Sequence, residues 1–476
     1  MLLDTIWCEL KRDSTIPLYE QLYTHLKAEI TSGRIAYGTK LPSKRKLAAF
    51  LKLSQNTIEA TYEQLTAEGY VEVKPRKGFF VQAYEELEQI PSKKSPELQS
   101  TPSKKQIRFN FHPTHIDTAH FPFDKWRKYM KQAIDQSNRD LLLLGNQQGE
   151  EIFRSEIAHY LYHSRGVQCT PEQIVVGAGM ETLLQQLFLL FGETTIYGIE
   201  DPGYQLIKKI LRHYPNHYEA FPVDHEGVNV DALSQSQINI MYLTPSHHFP
   251  YGSVLSINRR KRLLNWAESD SSRFIIEDDY DSEFRYSGKT IPSLQSMDQH
   301  GKVVYLGSFS KSLIPSARIS YMVLPKPLLT SYQQMFSSHH STVARFDQVA
   351  LAEFMKHGDF EKHLNRMRKL YRRKLDRVLS LLKPFEEELT IIGDQSGLHI
   401  VLVVNNGMDE ETLVTSARAA DILVYPLSLY SIEARAHKPP RVVLGFASIA
   451  ETDIEQAFTS LLQAWGLKKQ KKTPAD

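Results

Sequence analysis

The sequence predicts a multidomain protein in which an N-terminal winged helix-turn-helix is followed by a large α/β domain and a smaller C-terminal α+β lobe. Three observations predict this arrangement. At 476 residues the chain is longer than one hydrophobic core usually organises. A helical apolar period near the N-terminus ends in a short alternating segment. After a polar stretch, apolar strand-like runs alternate with helix-length amphipathic segments.

The composition is that of a globular protein in a reducing compartment. The formal net charge is only +2, so any contact with nucleic acid has to come from a local patch. Cys8 and Cys169 are the only cysteines, too few for a disulfide framework or a thiolate metal site, and no metal is expected. The chain starts without a basic leader and has no apolar run near the roughly 18 residues of a membrane span. These features predict a cytoplasmic protein.

Residues 12–82 are assigned to the winged helix-turn-helix. Apolar residues recur at every fourth position, as one stripe of a helix that ends near Gly33, and these are Leu18, Leu22, Leu26 and Ile30. Ser43 and Ser54 are the predicted N-cap residues of a second and a third helix. The alternating runs on either side of a turn at 74–78 predict a β-hairpin.

The second helix, the third helix and the hairpin tip carry groups that can contact DNA. Three cations fall in the first turn of the second helix, where the helix dipole already presents positive charge, so a nearby anion would stabilise them. A solvated basic corner explains these cations equally well. The third helix begins with short polar side chains suited to base edges or phosphates. The candidate DNA-contacting residues are Ser43, Lys44, Arg45, Gln55, Asn56, Thr57, Arg76, Lys77 and Gly78. A winged helix that binds protein is the alternative.

Residues 83–107 are rich in Glu, Gln, Ser, Pro and Lys and are predicted to form a semi-extended linker. The α/β domain is assigned to 108–470, around a largely parallel, buried sheet. Its smaller lobe is placed at about 346–470 and begins with a long basic helix from Leu364 to Leu382. That run of like charge is typical of a solvated face, and a second DNA contact is the alternative.

The most informative motif is a lysine that follows a buried strand. Ser308-Phe309-Ser310-Lys311 comes directly after an apolar run, and Arg318 lies seven residues further on. Pyridoxal phosphate needs an amine, a carboxylate beside its ring nitrogen, a group on O3′ and donors for a dianionic phosphate. Lys311 supplies the amine. Asp278 follows another apolar strand, where a carboxylate without a cationic partner is costly, and Tyr280 shares its face.

Phosphate donors are predicted on two sides of the same site. Gly177-Ala178-Gly179 stands between an apolar strand and a helical run, so its backbone can meet an anion at a helix start. Tyr204 can present its ring to the cofactor, although a plain turn explains Asp201-Pro202-Gly203-Tyr204 equally well. Asp281 and Glu283 are expected in solvent. The candidate cofactor-binding residues are Lys311, Asp278, Tyr280, Gly177, Ala178, Gly179, Tyr204, Ser308, Ser310, Arg318 and His247.

Two groups of motifs resemble known families. Residues 15–82 resemble the GntR-type winged helix through Pro42-Ser43-Lys44-Arg45-Lys46-Leu47-Ala48 and Lys77-Gly78-Phe79-Phe80-Val81. Residues 108–465 resemble fold-type I aminotransferases. The order of the two modules, with Thr244-Pro245-Ser246-His247-His248-Phe249-Pro250 and Glu277-Asp278-Asp279-Tyr280-Asp281, resembles the MocR/GabR family of bacterial transcription regulators.

The resemblance implies an α/β domain of the PLP-dependent transferase type (fold type I aminotransferase). It implies that Lys311 is the catalytic residue that holds pyridoxal 5′-phosphate covalently, that Asp278 pairs with the ring nitrogen and that Tyr280 bonds O3′. Arg318 would hold the phosphate. The family also implies double-stranded operator DNA as a partner and a domain-swapped homodimer.

Two departures from working aminotransferases direct the functional prediction. Phe249 stands where aminotransferases carry the asparagine that holds O3′, and His247 or His248 is the suggested substitute. Val443 stands where the arginine that clamps a substrate carboxylate is usual, with Arg441 two residues earlier. GABA-sensing relatives place arginines after Tyr204 and around 424–430, and this chain has none there.

The prediction is therefore a PLP-dependent DNA-binding transcription regulator. It would sense PLP itself, D-alanine or another small amino compound by imine chemistry at Lys311. An active aminotransferase with an appended winged helix is the alternative. The sequence leaves open the effector, the operator and the sign of regulation.

Overall fold

The computed structural model describes residues 2–8, 10–11, 14, 16–82, 107–286, 288, 291–432 and 439–467. The chain divides into two compact units, Met1–Lys104 and Lys105–Asp476. The predicted linker at 83–107 lies outside the described residues except for its last position. No helix in these described ranges is long and apolar enough to cross a membrane.

The described part of the first unit is a winged helix-turn-helix, as predicted. Its elements are α1 (Leu2–Ile6), α2 (Leu18–Thr31), α3 (Lys44–Leu51), α4 (Gln55–Ala67), β1 (Val71–Lys74) and β2 (Gly78–Val81). Because their apolar residues recur at helical spacing, α2, α3 and α4 bury one face each in a shared core. The strands pair antiparallel, with Val71 opposite Val81 and Lys74 opposite Gly78.

Both predicted N-caps of this unit are present. The Ser43 hydroxyl accepts a hydrogen bond from the Lys46 amide at 3.3 Å, and the Ser54 hydroxyl accepts one from the Thr57 amide at 3.1 Å. Each satisfies an amide that the first helical turn leaves without an intrahelical partner. The starts of α3 and α4 are therefore determined locally by the sequence.

The second unit combines a large α/β domain and a smaller lobe. Its helices are α5 (Phe123–Ala133), α6 (Glu151–Arg165), α7 (Met180–Phe191), α8 (Gln205–Leu211), α9 (Ile257–Glu268), α10 (Phe309–Ser312), α11 (Lys326–Met335), α12 (Arg345–Lys356), α13 (Asp359–Leu382), α14 (Glu410–Ala419) and α15 (Ile454–Ala464). Its strands are β3 (Phe109–Asn110), β4 (Ile174–Gly177), β5 (Ile196–Asp201), β6 (His217–Asp224), β7 (Gly227–Val228), β8 (Ile240–Leu243), β9 (Phe274–Asp279), β10 (Val303–Ser308), β11 (Ser320–Val323), β12 (Leu389–Ile392), β13 (His399–Val404), β14 (Ile422–Leu423), β15 (Tyr425–Pro426) and β16 (Arg441–Gly445).

The large domain is organised by a mixed eight-stranded sheet in the order β4-β11-β10-β9-β8-β5-β6-β7. Strands β10, β9, β8, β5 and β6 run parallel to one another, whereas β11 is antiparallel to both β10 and β4. Helices cover both faces, which is why these strands read as continuous apolar runs in the sequence. The carboxyl ends of β9 and β10 lie side by side, where ligands bind in open α/β sheets.

The smaller lobe has a four-stranded antiparallel sheet in the order β12-β13-β16-β15. Its core also takes in Phe109, Phe111 and Ile116, since β3 pairs parallel with β14. A segment from the start of the second unit thus completes a lobe built from its end. The predicted lobe at 346–470 did not include this segment, because pairing over 300 residues leaves no local signal.

The basic helix α13 is partly buried. Lys374 is 0% exposed, and its ammonium group donates to Asp117 Oδ2 at 2.7 Å and to the Ala447 carbonyl at 2.6 Å. On the exposed side, Arg373 pairs with Glu451 at 3.0 Å and Arg372 with Asp376 at 2.9 Å. Several cations of this helix are thus neutralised by acidic neighbours, and Lys374 contributes to the interior.

Candidate functional site

A cavity of ≈ 240 Å³ lies at the carboxyl ends of β9 and β10. Seven of the predicted cofactor-binding residues line it, and these are Tyr204, Asp278, Tyr280, Ser308, Ser310, Lys311 and Arg318. Thr114, Glu181 and Phe249 also line it. The structure therefore brings together residues that are separated by more than 100 positions in the chain.

Lys311 is held at the wall of the cavity by the backbone. It lies in the short helix α10, which begins directly after β10, with the Ser308 hydroxyl as N-cap. Its ammonium group donates to the Pro113 carbonyl at 2.7 Å. Burial lowers the pKa of Lys311 to about 8, although the charge of Asp281 partly opposes the shift. Near pH 8 a large share of the amine is therefore neutral and nucleophilic.

The lowered pKa of Lys311 predicts how the reaction with an aldehyde depends on pH. Only the neutral amine attacks a carbonyl, so the rate for the apo protein should rise with pH and level off above a midpoint of about 8. Stopped-flow absorbance between pH 6 and 10 measures this rate. A midpoint near the ordinary lysine value of 10.5 would contradict the burial of the amine.

Asp278 lines the cavity near the carboxyl end of β9. It is 3% exposed, and the Tyr242 hydroxyl donates a hydrogen bond to its Oδ2. Within the described residues, its Oδ1 is buried without any hydrogen-bond partner. Burial raises the pKa of Asp278 to about 7, with Asp279 and Asp281 adding to the shift. A cation that donates a hydrogen bond to Oδ1 would offset the cost of burying the charge and would satisfy this acceptor.

Tyr280 reaches the cavity with support from a buried histidine. His247 Nδ1 lies 2.8 Å from Asp281 Oδ1 and 3.0 Å from the Tyr280 hydroxyl oxygen. When Nδ1 donates to the Asp281 carboxylate it cannot accept from Tyr280, and the Tyr280 hydroxyl proton can then turn toward the cavity. His247 itself does not line the cavity, so it orients Tyr280 from behind.

This arrangement corrects one expectation from the sequence. Asp281 was expected in solvent, but it is 2% exposed and holds His247. Glu283 is half-buried and accepts a hydrogen bond from the Tyr160 hydroxyl at 3.1 Å. Both acids follow the last residue of β9 and turn inward, a direction that the strand's alternation alone could not predict.

Arg318 approaches the opposite end of the cavity across a glycine. A Cβ atom at Gly179 would lie 2.0 Å from Arg318 Nη2, so only glycine leaves room for the guanidinium group there. Gly179 also has φ +92°, which disfavours other residues. Ser308 and Ser310 also line the cavity, with their hydroxyl oxygens 2.9 Å apart.

The predicted backbone donors Gly177, Ala178 and Gly179 have contacts within the chain. The Ala178 amide donates to the Thr342 hydroxyl and the Gly179 amide to the Gly177 carbonyl, both at 2.8 Å. Gly177 pairs with Ser320 in the sheet. The first turn of α7 follows immediately, and Met180 and Glu181 line the cavity. The N-cap Gly179 has no side chain to satisfy their amides, so these amides are available to an anion at the helix start.

Phe249, which stands where the resemblance predicted an asparagine, is one of three aromatic residues in the cavity wall with Tyr204 and Tyr280. The Phe249 ring packs edge-on against Tyr204 at 5.8 Å and against Tyr280 at 6.0 Å. Arg441 lies elsewhere and donates to the Tyr251 hydroxyl at 2.7 Å. Among the described lining residues, the cations are therefore Lys311 and Arg318 alone.

The residues present fit pyridoxal phosphate, the cofactor implied by the sequence resemblance. An amine, a carboxylate oxygen without a partner, a free hydroxyl proton and a guanidinium group beside a helix start surround one cavity. Lys311 would hold the aldehyde carbon, Asp278 the ring nitrogen, Tyr280 the phenolic oxygen, and Arg318 with the α7 amides the phosphate. When bound, the group supplies an electrophilic aldehyde that condenses with a primary amine.

The predicted DNA-contacting side chains of the first unit differ in their exposure to solvent and in their contacts within the unit. Arg45, Gln55, Asn56, Arg76 and Lys77 are exposed. Arg76 adopts φ +62° at the tip of the hairpin.

The remaining candidates of the first unit are engaged within it. The Lys44 ammonium is paired with Glu59 and lies 5.6 Å from the centre of the Phe79 ring. The Thr57 hydroxyl is 2.8 Å from that of Ser54. Ser43 is exposed but its hydroxyl is occupied as a cap, and Gly78 is half-buried at the start of β2. Six of the nine predicted residues are therefore exposed.

Several residues of the site were not predicted from the sequence, among them Thr114, Tyr242, Asp281 and Glu181. Thr114 lies in a segment that was not connected with the site, and Tyr242 lies inside an apolar strand run, where its hydroxyl was the only signal. Asp281 was assigned to solvent. Glu181 lies in the helical run after Gly179 and was not predicted to line the site.

Two family models match the chain. Residues 106–461 match the aminotransferase class I and II family, and residues 18–81 match the gntR family of bacterial regulatory proteins. The chain is 45% identical to the uncharacterized HTH-type transcriptional regulator YdeL of Bacillus subtilis (strain 168), over 96% of this chain and 98% of that protein. It is 32% identical to the probable rhizopine catabolism regulatory protein MocR of Rhizobium meliloti, over 96% and 95% of the two chains.

The second unit also resembles solved enzymes. The crystal structure of Pyrococcus horikoshii kynurenine aminotransferase superposes with a TM-score of 0.68 at 23% identity, covering 76% of this chain and 91% of that one. At this identity the likeness shows the fold.

Proposed function

Because the chain belongs to the MocR-type family of HTH-type transcriptional regulators, we propose that it binds operator DNA through its first unit and senses a small molecule in the cavity of its second unit. The observation that carries the sensing proposal is the set of charged groups in the cavity. In the described lining these are Lys311, Asp278, Arg318 and Glu181. Lys311, Asp278 and Arg318 match the aldehyde, the ring nitrogen and the phosphate of pyridoxal phosphate.

The class of effector follows from the charged groups that remain in the cavity once pyridoxal phosphate has been matched. Arg318 is taken up by the phosphate, so the described lining offers no second cation for a ligand carboxylate. A free α-amino acid would lose the bidentate contact that usually orients it. The ligand that fits best is pyridoxal phosphate itself; D-alanine, whose carboxylate would lack that contact, or another small amino compound is the next choice. Lys311 or the ligand's own amine then condenses with the aldehyde.

Regulation requires that the ligand distinguish two arrangements of the protein. A ligand shifts an equilibrium only by its difference in affinity for the two states. Within the second unit, Lys311 bonds to the Pro113 carbonyl, and Pro113 lies on the segment that joins the smaller lobe through β3. Loss of this contact when Lys311 reacts would couple occupancy of the cavity to that segment.

A homodimer, domain-swapped as in the family, is part of the proposal. Its support is a run of leucines between α5 and α6, with Leu142 exposed at 74%, Leu143 at 68% and Leu144 at 78%. Adjacent exposed leucines are costly in water and are typical of an association surface. Sedimentation analysis of the full chain tests whether it is a homodimer.

Replacing Arg45 by Ala should weaken operator binding. Arg45 is exposed in the first turn of α3, and each phosphate contact that is lost lowers the salt dependence of log K by about one unit. Gel shift or fluorescence anisotropy at several salt concentrations measures both effects. Arg127→Ala removes the same charge from the second unit and should leave binding unchanged. Equal binding by the Arg45 variant would mean that the winged helix docks by another face.

A working aminotransferase is the second candidate, favoured by the fit of the cavity to its cofactor. The position of Arg441 argues against efficient turnover, because this arginine is bonded to Tyr251 and does not line the cavity. A turnover assay with amino-acid and keto-acid pairs separates the two candidates. Sustained keto-acid production without a ligand-sensitive gel shift would favour the enzyme.

A further inference from the structure

Glu181 places a carboxylate at the phosphate end of the cavity, and neither the proposed function nor the matching fold assigns it a role. It is the second residue of α7 and lines the cavity together with Arg318. Its Oε2 accepts a hydrogen bond from Arg318 Nη2 at 2.5 Å. The guanidinium group that would hold the phosphate is therefore paired within the chain.

The two possible partners of Arg318 need the same space. A Cβ atom at Gly179 would lie 2.0 Å from Arg318 Nη2 and 2.7 Å from Glu181 Oε2, so the two side chains meet directly over this glycine. The first-turn amides of α7 favour a negative charge at this place, whether it belongs to a carboxylate or a phosphate. A phosphate dianion that arrives beside an ionised Glu181 also meets like-charge repulsion.

We propose that Glu181 competes with the phosphate of pyridoxal phosphate for Arg318 and thereby lowers the affinity of the cavity for that ligand. The inference deepens the proposed function, on which it rests. Binding requires Arg318 to exchange the carboxylate for the phosphate and Glu181 to turn outward. The exchange is feasible because the side chains of Arg318 and Glu181 are 49% and 44% exposed, which leaves room for both to move.

Lower affinity is useful to a sensor. A site reports a ligand concentration only if its dissociation constant is near that concentration, since a site that stays saturated reports nothing. An intrachain competitor achieves this while the amine, the carboxylate and the guanidinium group stay in place. The competition acts on the phosphate alone, which gives it a distinct experimental signature.

The test compares two ligands in two proteins. Apo full-length protein and its Glu181→Gln variant are titrated with pyridoxal phosphate and with pyridoxal, which lacks the phosphate, and binding is followed by visible absorbance. An exposed ion pair and a like-charge contact are each modest in strength. The variant should therefore bind pyridoxal phosphate about 3- to 10-fold more tightly and pyridoxal equally well. Unchanged or weaker binding of pyridoxal phosphate, or equal tightening for both ligands, would overturn the proposal.

Two further variants locate the effect. In an Arg318→Ala background, Glu181→Gln should no longer change the affinity for pyridoxal phosphate, because the contested group is gone. Glu151→Gln removes an exposed first-turn carboxylate from α6 and should leave both affinities unchanged. Retention of the full tightening without Arg318 would contradict competition for that residue. If the unmodified protein showed no absorbance change with either ligand, the cofactor proposal would fail first.

Discussion

The Lys311→Ala protein is expected to show no visible absorbance from covalently held pyridoxal phosphate. Among the residues that the structure describes, Lys311 is the lysine that lines the cavity. Its removal leaves no amine there to condense with the aldehyde. The expected loss is complete. Absorbance spectra after removal of free ligand measure it, and Lys326→Ala, which removes an exposed lysine at the start of α11, should keep the full signal.

The same variant should remain folded, and its stability should depend differently on pH. The pKa of Lys311 is lowered to about 8 by burial, against 10.5 in an unfolded chain. Between these values the unfolded chain binds more protons than the folded one, so stability rises with pH over this window. Lys311→Ala should lack that rise, as thermal unfolding of the apo proteins at pH 8 and pH 10 can show.

The absorbance of the variant decides the attachment point. If Lys311→Ala kept the visible absorbance of covalently held pyridoxal phosphate, Lys311 would be excluded as the attachment point.

Asp278→Asn should weaken the binding of pyridoxal phosphate strongly. Its Oδ1 is buried and, in the described structure, has no partner, which suits a protonated ring nitrogen. Removing one partner of a buried, hydrogen-bonded charge pair costs about 2–5 kcal/mol, or roughly 30- to 4,000-fold in affinity. Titration of the apo variant by absorbance measures this loss. Affinity within threefold of the unmodified protein would mean that the ring nitrogen lies elsewhere.

The Asp278→Asn substitution should at the same time stabilise the apo protein. Burial raises the pKa of Asp278 to about 7 from 3.8, so stability falls as pH rises from 3.8 to 7, and the penalty is fully present at pH 8. Asparagine fills the same space without the charge and should increase the free energy of unfolding by about 1–2 kcal/mol at pH 8. Asp124→Asn, at a fully exposed carboxylate, should change neither quantity.

Opposite signs for affinity and stability would separate a binding role of Asp278 from a structural one. A residue needed only for packing would lose both together. The result would also explain why the chain keeps a costly carboxylate at this position: the free energy lost in the apo protein is recovered when a cation arrives.

The parts of the site that could be predicted from the sequence are those whose chemistry is local. Lys311 and Asp278 each lie within a few residues of a short apolar run, and a charged residue near the end of a buried strand is conspicuous without any tertiary information. The caps Ser43 and Ser54 were predictable for the same reason, since a cap and its amide are three residues apart. The confirmed winged helix and the α/β sheet rest on periods of this short range.

The parts that could not be predicted depend on contacts between distant segments. Thr114 reaches the cavity because β3 pairs with β14 more than 300 residues later in the chain. The pairing of Glu181 with Arg318 and the burial of Lys374 beside Asp117 likewise join residues more than 100 positions apart. Charge and composition do not distinguish such pairs from solvated surface groups.

The sequence by itself determined the order of the two modules, the winged helix, the buried strands and the identity of the amine and carboxylate groups, because hydrophobic periods and caps act within a few residues. Only the tertiary structure decided which polar groups meet in the cavity. It turned Asp281 inward onto His247, engaged the Ala178 amide with the Thr342 hydroxyl and set Glu181 against Arg318. Those outcomes depend on the direction of each side chain after packing, which no local pattern contains.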